Sequence, residues 1–308
     1  MRLRGFLILL TILILSCGRE DKKNIPLSDY VPHNALAAIQ INNLASLIDS
    51  LENNEFISRL ENLESYKAII DKIAFLEQLD RESNGMLVFS KSERDSVEVL
   101  FISDTLSNMF HVDSLRNKYA ELISFDNQTF DKYIVNDKAI YSSVVDNRLF
   151  ISTSAELLDD NLQQTEGDTS VLFKRLYAIA DKNKPANLFL NLKENEYLLS
   201  QITSDSLHIS ISKFSDWVYF DTEIRTDFLA LSGLAVSNDS TTKYLNLFKD
   251  TEPLPNATPF FAPLESESLL TYTFNDQRVF KKIKNTFLAK CPKTIRSLIR
   301  WKKSVSYV

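Results

Sequence analysis

The stretch KYIVNDKAIYSSVVDNRLFIST, residues 132–153, decides the fold class. Its runs 132–135, 139–145 and 148–153 are short and rich in β-branched and aromatic residues. Between them stand Asn136-Asp137 and Asp146-Asn147, dipeptides that tolerate the positive φ of a tight hairpin turn. The spacing predicts a three-stranded antiparallel meander. Upstream, residues 85–90 and 97–103 read as a hairpin joined across 91–96, and downstream 207–212, 217–225 and 228–237 predict a second meander.

Amphipathic helices fill the gaps. Phe56, Leu60, Leu63 and Tyr66, then Ile69, Ile70, Ile73, Leu76 and Leu79, recur at helical spacing. Residues 115–123, 155–162 and 170–180 supply three more helices. Because helices alternate with meanders and not with single strands, the expected class is α+β, with the helices packed on one face of antiparallel sheets.

A strand that stops at a polar residue and turns straight into a helix recurs along the chain. Pro32, residues 36–41 and Asn42-Asn43 precede a helix with Leu44, Leu47, Ile48 and Leu51; Pro263, residues 268–274 and Asn275-Asp276 precede another; Pro185 with 186–192 is a shorter echo. Asn or Asp after the strand can cap the helix by accepting its free amide hydrogens. The expected division is 1–16 signal peptide, 17–30 lipidated N-terminus and tether, 31–250 α+β domain, and 251–308 linker plus the start of a second, incomplete repeat unit. Residues 238–263, with four prolines, are the linker candidate.

Apolar residues make up 44% of the 308, enough to build a packed core. Charge is uneven: residues 17–277 hold all 41 acidic side chains against 23 Lys and Arg, whereas 278–308 carry ten basic residues and no acidic one. In the tail, Phe280, Ile283 and Phe287 share one helical face and lysines another, the pattern of a membrane-surface helix or of an ordinary domain helix with a basic solvent side. The acidic remainder argues against nucleic acid as a partner.

Catalytic motifs are not legible. Only Gly85, Gly167 and Gly233 follow the N-terminal region, too few and too scattered for a phosphate-cradling loop or a nucleophile elbow. His33, His111 and His208 stand far apart, so no metal-ligand spacing can be written and no cofactor is expected. The pair Asp159-Asp160 reads as surface charge, and no catalytic residue is nominated.

The N-terminus is more informative. Arg2 and Arg4 precede an apolar run from Phe6 to Leu15, and Ser16 stands before Cys17, the anatomy of a secretory signal. The run is shorter than the about 20 apolar residues a membrane span needs. Ile14-Leu15-Ser16-Cys17 resembles the lipobox of bacterial lipoproteins, although Leu15 is bulkier than the alanine or serine usual at its place. The resemblance implies acylation of Cys17 and anchoring to the membrane through it. Gly18 in place of aspartate implies delivery to the outer membrane, at its periplasmic face or at the cell surface. Cys17-Gly18-Arg19-Glu20-Asp21 also resembles the export signal of surface lipoproteins of Bacteroidota-type bacteria. With Cys291 the only other cysteine, no disulfide framework competes for Cys17.

Asp followed by Ser or Thr and an apolar residue occurs at Ser50, Ser96, Thr105, Ser114 and Ser206, resembling the O-glycosylation signal of envelope proteins in that bacterial group. Three functions fit these observations: a lipid-anchored envelope protein that binds or scaffolds an envelope protein or glycan; an envelope hydrolase acting on glycan or peptide; and a subunit of an outer-membrane export or motility assembly.

Overall fold

The computed structural model describes residues 25–92, 96–104, 118–125, 128–163, 169–195, 211–238, 243–252, 254 and 275–290. Its strands are β1 (Ala35–Ile41), β2 (Gly85–Lys91), β3 (Val97–Ser103), β4 (Lys118–Phe125), β5 (Gln128–Val135), β6 (Lys138–Val145), β7 (Arg148–Ser152), β8 (Ala186–Asn191), β9 (Trp217–Ile224) and β10 (Leu229–Val236). They form one sheet in the order β10-β9-β8-β1-β2-β3-β7-β6-β5-β4. Every pairing is antiparallel. An α+β class built on antiparallel strands is therefore present.

The meander at 132–153 folds as its turn residues dictate. Asn136 and Asp137 take φ of 48° and 64°, Asp146 and Asn147 take 50° and 65°, and both dipeptides join hairpins with no register slip. Strand β1 is the spine, since Ile39 faces Leu87 of β2 on one side and Leu188 of β8 on the other.

The described helices are α1 (Leu44–Glu52), α2 (Glu55–Leu60), α3 (Glu64–Ile73), α4 (Ala155–Gln163), α5 (Val171–Ile179) and α6 (Gln277–Lys290). They do not share one face. One buried cluster gathers Met86, Val88, Leu100, Ile102 and Phe150 with Leu158 of α4 and Phe173 and Leu176 of α5. The other gathers Leu87, Val99, Phe101, Leu149 and Ile151 with Leu44 of α1 and with Phe75, Leu76 and Leu79. Successive strand residues point to opposite faces, so consecutive positions falling in different clusters place one core on each side of the sheet. The physical reason lies in the unbroken apolar runs 86–89, 99–102 and 149–151, the signature of strands covered on both faces.

A second correction concerns residues 115–123, expected as a helix. Their described part belongs to β4, which pairs with β5 through a register shift between Tyr119 and Glu121. That bulge breaks the period-2 pattern, and the resulting spacing of Tyr119, Leu122 and Ile123 imitates a helix.

Two of the expected helix caps are present. Asn43 Oδ1 accepts from Ser46 N at 2.7 Å to start α1, and Asp276 Oδ1 accepts from Arg278 N at 2.7 Å to start α6. The strand expected at 268–274 and the helix expected after β8 lie outside the described residues; of the strand expected at 207–212 only 211–212 are described, and these open the 3-10 turn Ile211–Lys213 in place of a strand. Part of the linker candidate is docked: Leu245 N donates to Phe214 O at 3.0 Å, and Tyr244 stacks on Phe214 at 6.2 Å. The 3-10 turn Tyr244–Phe248 in turn receives the apolar face of α6, with Leu247 and Phe287 buried and Phe248 and Phe280 rings 5.9 Å apart. The basic helix thus spends its apolar side on its own chain.

Candidate functional site

The first described residues, counted from sequence as tether, are built into the domain from Ile25 on. Leu27 and Val31 are buried, and the Tyr30 ring meets Phe150 edge-on at 5.4 Å. Arg148, at the start of β7, organises this dock. Its Nε donates to Asp104 Oδ1 at 2.6 Å, its Nη1 to the Tyr30 hydroxyl at 2.7 Å and its Nη2 to the Ile25 carbonyl. Burial works against the guanidinium charge, but Asp104 and Tyr30 more than restore it, so its pKa lies above its ordinary value. Helices α4 and α5 close the other side: Asn161 Nδ2 donates to Tyr30 O at 2.6 Å, and Lys174 pairs with Asp29 at 3.0 Å.

A buried polar latch ties the strand ends of β1, β8 and β9. Asn187, fully buried, donates through Nδ2 to Asp221 Oδ1 at 2.7 Å and to the Asp181 carbonyl at 3.1 Å, and its Oδ1 accepts from Asn42 Nδ2 at 2.8 Å. Asp221 Oδ1 also receives the Tyr219 hydroxyl and Asp181 N. Burial first, and then the bond to Asp221, push the Tyr219 pKa up to about 12. At neutral pH the phenol is protonated and donates to Asp221.

A groove of about 530 Å³ runs between Pro32-His33-Asn34 and α4, lined by Asp160, Asn161 and Gln163. Its titratable lining residues are His33 and Asp160. Asp159 and Asp160, read together as surface charge, point apart: Asp160 is exposed at the groove, whereas Asp159 is buried and accepts from Gln163 Nε2 at 2.5 Å. Helical geometry separates neighbours by about 100°, which is why adjacent carboxylates do not converge.

Among the described residues no three His, Cys, Asp or Glu could hold a metal ion, and no helix is long and apolar enough to cross a membrane. Two of the hydroxyls read as glycosylation candidates are described, and both are engaged. Ser50 Oγ donates to Ser46 O at 2.6 Å within α1, and Ser96 Oγ lies 2.8 Å from Ser92 Oγ and 2.7 Å from Glu98 Oε1. Cys17, Thr105, Ser114, Ser206, His111, His208 and Cys291 lie outside the described residues. Sequence reading missed Arg148, Asn187 and Asp221; only Asn187, between Ala186 and Leu188, offered the signal of a polar strand residue with apolar neighbours. Comparison with protein-family models, curated proteins and solved structures returned no match.

Proposed function

We propose that this chain is a lipid-anchored protein of the bacterial outer membrane, acylated at Cys17, whose acidic body binds or scaffolds an envelope protein or glycan. The observation that carries the reading is the order of residues at the N-terminus: Arg2 and Arg4, an apolar run, then Ser16-Cys17. Each buried methylene of an acyl chain contributes about 0.8 kcal/mol, so a multiply acylated cysteine holds for good. The Arg148 dock supports it mechanically, because a domain tied down from Ile25 passes any pull on the anchor into the sheet. In this reading the polar stops at Asn43 and Asp276 belong to a recurring strand-cap-helix unit, the second copy of which opens near residue 255. Thr105 is the glycosylation candidate to test, by whether Thr105→Ala removes a mass shift from the mature protein.

The experiment is fractionation of a Gram-negative host expressing the wild type and Cys17→Ala. Outer-membrane recovery of the wild type alone supports the anchor, and equal solubility of both sinks it. Crosslinking in intact cells then separates a scaffold, which yields a fixed adduct, from a hydrolase.

A further inference from the structure

The two edges of the sheet are built differently. Strand β4 is guarded by its bulge at Tyr119/Glu121 and by Glu121, which is engaged with Lys132 at 2.8 Å. Strand β10, LALSGLAV, carries no charge and no proline, and keeps an unbroken register with β9 over all its residues. Among the described residues no strand pairs with its outer side. Residues 230–234 are exposed, with Leu231 at 47% and Leu234 at 54%.

We propose that β10 is a self-association edge, pairing antiparallel with β10 of a second copy of this chain about a two-fold axis at Ser232. Three observations select that occupant. An unpaired backbone edge is satisfied by an extended strand, and β10 offers about 27 Å of it at 3.4 Å per residue. The axis must lie perpendicular to the sheet, which keeps each residue on its own face and sets Leu231 against Gly233, Leu234 against Ala230, and Leu229 against Ala235. Each of the three leucines then meets a small residue, and no charge within β10 opposes its copy across the joint, in a chain whose residues 17–277 are strongly acidic. Finally, β4 is guarded, so head-to-tail growth is blocked and pairing through β10 closes at two copies. One strand pair buries less than the about 1,600 Å² of a standard interface, so the dimer is a weak one, with a dissociation constant in the range of tens to hundreds of micromolar.

The test uses the full chain carrying Cys17→Ala and Cys291→Ser, with and without Ser232→Cys, alongside Leu231→Lys with Leu234→Lys. Sedimentation equilibrium from ten to several hundred micromolar should show a monomer–dimer equilibrium. Mild oxidation should crosslink Ser232→Cys, because opposed Cα atoms 4.5–5.5 Å apart suit a disulfide. The lysine pair should abolish the dimer while the unfolding midpoint stays within a few degrees, both positions being exposed. A chain monomeric throughout that range, a dimer that survives both lysines or fails to crosslink through Ser232→Cys, or species growing beyond two copies would each overturn the proposal. None of these outcomes depends on the anchor at Cys17.

Discussion

Arg148 Nε donates to Asp104 Oδ1 at 2.6 Å from a side chain only 8% exposed, while Asp104 stands half in solvent. The asymmetry sets the energetics. Arg148→Met strands the Tyr30 hydroxyl and the Ile25 carbonyl, and should cost about 2–4 kcal/mol. Asp104→Asn removes the charge but keeps an Oδ1 acceptor and leaves the bonds to Tyr30 and Ile25, and should cost under about 1 kcal/mol. Denaturant unfolding of the two variants measures the difference. Limited proteolysis should cut Arg148→Met near residue 25 well before the wild type.

Tyr219 makes stability pH-dependent at the alkaline end. Its folded pKa, about 12, lies above the ordinary 10.0, so the folded state binds the proton more tightly than the unfolded chain. Its contribution is complete below pH 10 and is lost as pH rises toward 12. Tyr219→Phe should flatten that loss, as seen in urea midpoints across the window. An unchanged alkaline slope would detach Tyr219 from the latch.

Phe173 is the hub of one core, with ring centroids 5.1 Å from both Phe189 and Trp217. Phe173→Ala should cost about 3–5 kcal/mol through lost transfer energy and the cavity left behind. The emission of Trp217 should shift to the red on the same titration.

Asn54 joins α2 to the β9–β10 turn. Its Oδ1 caps Ile57 N at 2.9 Å, and its buried Nδ2 donates to the carbonyls of Phe228 and, more closely, Arg225. Asn54→Ala removes cap and bridge together and should cost about 2 kcal/mol. Hydrogen exchange should rise in α2 and at the turn, leaving α4 and α5 unchanged.

The meander was legible because its signals are local: each positive φ falls on an Asn or Asp that tolerates it. The caps at Asn43 and Asp276 are local in the same way. What escaped depends on long-range pairing. The bulge in β4 disguises a strand as a helix until β5 is placed beside it. The Arg148–Ile25 bond spans 123 positions, and no window of sequence connects them. The second covered face was present in the apolar run Met86–Phe89 but requires knowing that β2 lies in the middle of the sheet.

Lipid attachment at Cys17 is decided by the mass of the N-terminal peptide of the mature protein, measured for the wild type and Cys17→Ala from the same host. The account predicts a wild-type chain that begins at Cys17 and carries acyl mass, and a Cys17→Ala chain that carries none. A wild-type peptide with a free, unmodified Cys17 would contradict it.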